Sequence, residues 1–178
     1  MPASSVELLE YNPAYPERFE FERILLTRAL GPWRSGPIEH VGSTAVPGLI
    51  STPIVDIMVG VESLQASRPA VRTAAQLGYC FFPYRAEEMH WFCKPTFEVR
   101  SHQLYLVPVG GRVWQEQIAL RDELRKNQEL ATEYAALKRQ LAATFPNDQE
   151  AYTEGKEPFV KGLMSRLLGP AAVGTVSG

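Results

Sequence analysis

From Pro53 to Val61 the chain reads Pro-Ile-Val-Asp-Ile-Met-Val-Gly-Val, a nearly unbroken apolar run with one charge inside it. Such a β-branched run predicts a strand buried on both faces. Ile38 to Val41 predicts a second strand, and Val6 to Tyr11 a short one ended by Asn12-Pro13. Between them, Phe19, Ile24, Leu25 and Leu30 recur at roughly helical spacing. They predict a helix from Pro13 to Leu30, stopped by Gly31-Pro32. A further helix is expected from Ser63 to Leu77, ending at Gly78. Tyr79 to Tyr84, His90 to Lys94 and Glu98 to Val107 read as three more strands.

The pattern changes at Arg112. From Val113 to Phe145 the chain is rich in Ala, Leu, Glu, Lys and Arg, residues that favour helix. Asn127 marks a break between two helices, and Leu130, Tyr134, Leu137 and Leu141 form the apolar stripe of the second. Pro146-Asn147-Asp148 ends it. Asp148 is expected to cap a final helix through Leu168, which Pro158 either kinks or delays. Strands precede most of the helices, so the expected class is α+β, a mixed sheet flanked by helices with a C-terminal helical cap. One domain is expected over residues 1–168, followed by a disordered, Gly-rich tail over 169–178.

Composition changes this picture little. The 178 residues suffice for one domain with a proper core. A net charge of −2 gives no basic footprint for nucleic acid. No run approaches the roughly 18 apolar residues of a membrane span. Met1 to Ser5 lacks the basic and apolar regions of a secretion signal, so a cytoplasmic protein is expected. Cys80 and Cys93 do not form a metal spacing and are read as two buried, reduced, small apolar residues.

Candidate chemistry concentrates between residues 38 and 61. Gly42 lets backbone approach a phosphate closely, and the Ser43 hydroxyl adds a donor. Twelve residues separate Ser43 from Asp56. A charge in such an apolar run is costly unless it is paired or bound to a metal. Gly-Ser, a spacer of this length and an acid on a strand resemble the nucleotidyltransferase superfamily signature, whose pattern continues acid–apolar–acid. The second acid is replaced here by Met58, a poor ligand for a hard ion such as Mg²⁺. Thr44 is expected to add a hydroxyl to the nucleotide site or cap the next turn. His40 and His102 lie on separate expected strands. If both flank Asp56, two imidazoles and a carboxylate converge, a set suited to Zn²⁺ or a general base. Glu39 should face away from His40, and His90 should sit in a loop or at a strand edge. Lys94, Arg100, Lys138 and Lys156 are cations that a triphosphate would need. Tyr152 either stacks on a base or anchors the last helix.

Further segments narrow the resemblance. Arg100-Ser101-His102-Gln103-Leu104-Tyr105-Leu106-Val107, Arg121-Asp122, Tyr134 to Arg139, and Tyr152-Thr153-Glu154-Gly155-Lys156-Glu157-Pro158-Phe159 resemble the GrpB family. With residues 39–61 they span about residue 6 to residue 168. The resemblance implies a nucleotidyltransferase-like mixed sheet, from a branch with no common established reaction. Relatives of that branch also occur fused behind dephospho-CoA kinase domains.

Two functions of different class follow. In the first, an enzyme moves a nucleotidyl or phosphoryl group from an NTP to a small acceptor. Asp56 and His102 are its catalytic residues, and Gly42, Ser43, Thr44, Lys138 and Lys156 bind the nucleotide. Mg²⁺ or Mn²⁺ sits on Asp56, or Zn²⁺ if His40 and His102 ligate. In the second, the same site binds a nucleotide or CoA-type ligand without turnover, as the loss of the second acid at Met58 suggests. A structural or chaperone-like partner domain is a third reading, which leaves Asp56 without a ligand.

Overall fold

A computed structural model describes residues 5–169. The elements run α1 (Tyr15–Ala29), β1 (Arg34–Val41), β2 (Val55–Val61), α2 (Ala70–Gln76), β3 (Cys80–Phe82), β4 (His90–Pro95), β5 (Arg100–Pro108), α3 (Arg112–Lys126), α4 (Gln128–Thr144), α5 (Gln149–Glu154) and α6 (Glu157–Leu168). The five strands form one sheet in the order β1-β2-β5-β4-β3. Only β2 and β5 run parallel; the other neighbours are antiparallel. The sheet is therefore mixed, and the expected α+β class with C-terminal helices is observed. The expected tail beyond Gly169 lies outside the described residues.

The two faces of the sheet carry different cores. Ile38, Val55, Ile57, Val59, Leu104, Leu106 and Phe92 pack against Tyr15 and Leu26 of α1, Leu30 just after it, and Ala70 and Ala74 of α2. On the other face, Val41, Met58, Trp91 and Val107 meet Val113 of α3. A third cluster joins Val46 and Leu49, from the β1–β2 connection, to Leu120, Leu124, Leu130, Tyr134 and Leu163 of the C-terminal helices. Gly60 lets α3 approach this second face closely: a Cβ there would lie 2.5 Å from Val109 Cγ2 and 3.0 Å from the Trp114 ring.

Three expected elements differ. The Val6–Tyr11 strand reduces to one bridge, Leu9 with Ser51. The helix expected from Ser63 begins only at Ala70. Ser63 ties a separate turn, accepting from Ala66 N and lending its carbonyl to the Ser67 hydroxyl, and Pro69 precedes the helix proper. The final helix divides in two. Asp148 caps α5 by accepting from Ala151 N, but α5 ends at Glu154. Pro158 has no N–H to continue that ladder and instead sits in the first turn of α6. Cys93 is buried as expected, whereas Cys80 is exposed on the edge strand.

Asn127 caps α4 through its side chain, which accepts from Leu130 N at 3.1 Å. Asn127→Ala should cost about 1 kcal/mol of stability. Urea unfolding checks this; a variant as stable as the parent would mean that packing alone starts α4.

Candidate functional site

Register explains how distant segments reach one place. Val41, the last residue of β1, pairs with Asp56 on β2, and Asp56 pairs with Gln103 on β5. Residues directly opposite share a face, so Asp56, Met58, Gln103 and Tyr105 all face α3 and the C-terminal helices. Gly42 follows Val41 and therefore lies beside the Asp56 carboxylate. Its backbone has φ +71°, open to glycine and strained for other residues. A Cβ on Gly42 would sit 2.3 Å from Asp56 Oδ2. Glycine is thus required here twice, by conformation and by contact.

The carboxylate lies on the wall of a cavity of about 210 Å³. Gly42, Ser43, Asp56, Tyr105, Lys138 and Lys156 line it together. Tyr105 donates its hydroxyl to Asp56 Oδ1 at 2.7 Å. That hydroxyl has a single proton, so it cannot also donate to Gln103. With the Gln103 amide turned, its nitrogen donates to Tyr105 at 2.6 Å, and its oxygen accepts from Arg100. Lys138 is 2% exposed and donates to Ser43 Oγ and to the Ile50 carbonyl, each at 2.6 Å. Lys156 Nζ lies 4.4 Å from the centre of the Tyr152 ring. Arg85, at the rim, pairs with Glu157, and Arg112 pairs with Glu88 and Glu116.

Burial dominates the electrostatics. Part of the Asp56 side chain opens onto the cavity, and protein packs around the rest. Desolvation raises its carboxyl to about 6 against the opposing Tyr105 hydrogen bond and the charges of Lys156, Lys138 and Arg100. Desolvation, with the charge of Lys156 beside it, lowers Lys138 to about 7, and Asp56 opposes the shift. Lys156 falls to about 8, again by desolvation against the pull of Asp56. Three groups with displaced titrations thus meet in one concave site.

Not every expected residue belongs to it. His40 pairs with Ile57 and His102 with Val55, so both side chains occupy the opposite face of the sheet from Asp56. The expected convergence of two histidines and a carboxylate does not occur, because each histidine is one residue out of phase with the acid. His40 stacks on Phe19 of α1 at 4.8 Å. Thr44 donates to the Ile54 carbonyl, which leaves its oxygen to accept from His40 Nε2 at 3.0 Å. Burial, helped by Arg125 and Arg121, holds His40 down to about 4, so the ring is neutral at neutral pH. Thr44 is 1% exposed and is used up in this bonding rather than lining the cavity. His102 bonds Ser101 through Nδ1, and burial lowers its titration. Glu39 does face away from His40, but Arg121 occupies it. His90 begins β4 and bonds the Leu64 carbonyl. Lys94 pairs with Glu22 on the α1 side. Arg100 lies over the Phe97 and Trp91 rings.

Met58 is fully buried with Trp91 and Val113, beneath the cavity rather than in it. Around Asp56 the donors are therefore one carboxylate, two neutral groups and two ammonium ions. No group of three His, Cys, Asp or Glu able to hold a metal exists among the described residues. A site with two ammonium groups and one acid does not fit a divalent cation.

Sequence reading did not pick out Tyr105, Gln103, Tyr134 or the clamp made by α3. Arg121 donates to the His40 carbonyl and Arg125 to the Ala45 carbonyl, fixing the Gly42–Ala45 turn from behind. The alternation of Gln103 and Tyr105 along β5 was visible; the register that sets them beside Asp56 was not.

A mixed five-stranded sheet holding a Gly-Ser turn against a buried strand aspartate defines an α+β fold with one lysine-rich cavity. Residues 5–166 match the family described as GrpB protein, and the chain belongs to that family. It is 34% identical to a UPF0157 protein of Pseudomonas aeruginosa, over 92% of this chain and 68% of that one. It is 31% identical to the glutamate-rich protein GrpB of Alkalihalophilus pseudofirmus, over 91% and 95%. The crystal structure of conserved protein GrpB from Enterococcus faecalis superposes with a TM-score of 0.79 at 29% identity, covering 90% of this chain and 96% of that one. No described helix is long and apolar enough to cross a membrane.

An acid whose titration is raised on folding keeps its proton longer in the folded state. Asp56 therefore makes stability fall as pH rises from 3.8 to about 6, and adds no further slope above that. Asp56→Asn removes this slope. The stability of the parent minus that of the variant should decline across that window in urea unfolding at stepped pH. Parallel curves would show a carboxylate that is not desolvated.

Proposed function

We propose that this protein binds a phosphorylated small molecule of nucleotide or coenzyme A type in the Asp56 cavity. One observation carries the reading: two ammonium groups, Lys138 and Lys156, share a concave site with the Asp56 carboxylate, while the other carboxylates of its lining, Glu116 and Glu157, are already paired with Arg112 and Arg85. The site thus holds an excess of positive charge once both lysines are protonated, and an anion would restore the balance. Because Ser43 Oγ already accepts from Lys138, its own proton is free to point at a phosphate oxygen. An entering phosphate would raise both lysine titrations, so binding would take up protons near neutral pH. The free thiols of Cys80 and Cys93 suit a reducing, cytoplasmic setting.

A second reading, transfer of a nucleotidyl or phosphoryl group to a small acceptor, is favoured by Asp56. Its carboxyl, held near 6 and oriented by Tyr105, suits a general base for an acceptor hydroxyl. Lys138 and Lys156 would then stabilise the developing charge. The Gly42-Ser43 turn beside a strand acid supports a place in the nucleotidyltransferase superfamily for this fold. With Met58 in the core, the acid–apolar–acid metal site of that superfamily has no counterpart here, and no step is assigned to a metal.

Calorimetry with phosphate, ATP and CoA tests binding. Lys156→Met should weaken the bound anion by about tenfold or more, as expected for loss of a charge-assisted hydrogen bond. Binding should also release or absorb heat in proportion to the ionisation enthalpy of the buffer. Equal affinity in parent and variant would overturn the reading. Pyrophosphate or phosphate release that disappears in Asp56→Asn, with binding intact, would favour transfer over binding alone.

A further inference from the structure

Beside the cavity, across Gln103 and Tyr105, lies a second lobe of about 140 Å³. Gln103, Tyr105, Gln117 and Gln149 are among the residues that line both lobes, so the two adjoin. Together they reach the lower end of the range for small-molecule sites, about 300 Å³, which neither attains alone. Their chemistry differs. The first lobe holds Lys138 and Lys156. The second has an apolar floor of Tyr84, Met89, Trp91 and Val113 facing the side chains of Gln117, Gln149 and Thr153.

The cations of the second lobe already have partners. Arg85 pairs with Glu157 and Glu88, and Arg100 lies over the Trp91 ring with the Gln103 oxygen accepting from it. Open hydrogen-bonding capacity comes from carboxamides. Gln149 makes one long bond to Thr153, at 3.5 Å, and Gln117 bonds no described residue. Each carboxamide offers a donor and an acceptor side by side. Beside an aromatic floor, that is the complement of the edge of a nucleobase, whose donors and acceptors lie in one plane.

The first lobe limits the other end. Lys138, Lys156 and Asp56 sum to one positive charge when all are ionised, and Arg85, Arg112 and Lys161 set against Glu116 and Glu157 add one more along the same lining. A single phosphoryl group is close to balanced there, while a triphosphate would bury several uncompensated negative charges. We infer that the ligand is a nucleoside monophosphate, held with its phosphate at Ser43, Lys138 and Lys156 and its base in the second lobe against Gln117 and Gln149. This rests on the reading of the lysine lobe as a phosphate site.

The test is calorimetry of the full chain with inorganic phosphate, ribose 5-phosphate, the four common ribonucleoside monophosphates and ATP. At least one monophosphate should bind about tenfold more tightly than ribose 5-phosphate, the worth of one or two base hydrogen bonds. Gln117→Leu with Gln149→Leu should bring that monophosphate down to the level of ribose 5-phosphate, with the affinity for inorganic phosphate unchanged. The two single variants repeat the comparison with less perturbation, and circular dichroism confirms that each is folded. All four monophosphates binding no better than ribose 5-phosphate would overturn the inference. So would ATP binding more tightly than any monophosphate, or glutamine variants that weaken phosphate and nucleotide alike. Binding of phosphate without preference for a base would sink this inference alone. Binding of none of these probes would sink the phosphate site as well.

Discussion

The Asp56 carboxylate is placed on a central strand, in contact with the Cα of Gly42 and across a cavity from two lysines. A charge there is unfavourable without company, and the surrounding structure supplies that company from four directions. Tyr105 comes from the neighbouring parallel strand, Gly42 and Ser43 from the turn, Lys138 from α4, and Lys156 from the α5–α6 junction. The turn is near in sequence; Tyr105 and the two lysines arrive from remote segments. The C-terminal helices can therefore be understood as the wall that brings ammonium groups to a strand aspartate. Where Pro158 and Gly155 interrupt the last helix, Lys156 is set at the junction and can point back at the sheet.

The opposite face of the sheet has its own buried polar group, and it serves packing. Glu22 of α1 is 3% exposed and accepts from the Tyr79 hydroxyl at 2.8 Å and from Lys94 at 2.7 Å. This ties α1 to β4 and to the segment before β3. His40, stacked on Phe19 and bonded to Thr44, links the same helix to the turn that carries Ser43. From the other side, Arg125 holds that turn through the Ala45 carbonyl, and Arg121 holds the end of β1 before it through the His40 carbonyl. The Gly42–Ala45 turn is thus held from both layers while its Ser43 hydroxyl remains in the cavity. A rigid turn orders little further on binding, which favours affinity for a small ligand.

Much of the site was legible from residue types alone. Gly42, Ser43 and Asp56 stood out because a Gly-Ser turn and a charge within an apolar strand each demand a physical reason. Lys138 and Lys156 stood out through the segments that resemble the GrpB family, and all five line one cavity. The two histidines were misplaced for one shared cause, whereas Thr44 sits in the turn after β1 and is taken up by His40 and the Ile54 carbonyl. A strand alternates its faces every residue, and a one-residue offset between neighbouring strands sends a side chain to the other layer. His40 beside Val41, and His102 beside Gln103, both fall on the α1 side through that offset. Local pattern shows which residues alternate, while pairing between strands decides which alternating set faces the acid.

The sequence by itself determined the element types, their order, the α+β class and the breaks at Asn127 and Pro146, because hydrophobic period, caps and proline act over a few residues. It also determined that Asp56 needed a partner, since desolvation of a charge follows from its apolar neighbours. The tertiary structure decided who that partner is. Parallel pairing of β2 with β5 delivered Tyr105 and Gln103, and packing of α3 against Gly60 buried Met58 where a second acid was expected. The folding-back of α4 to α6 then delivered the lysines. These are contacts across 47 to 100 residues of chain, set by register and by the closeness of helix to sheet, and neither quantity is encoded in any local stretch of sequence.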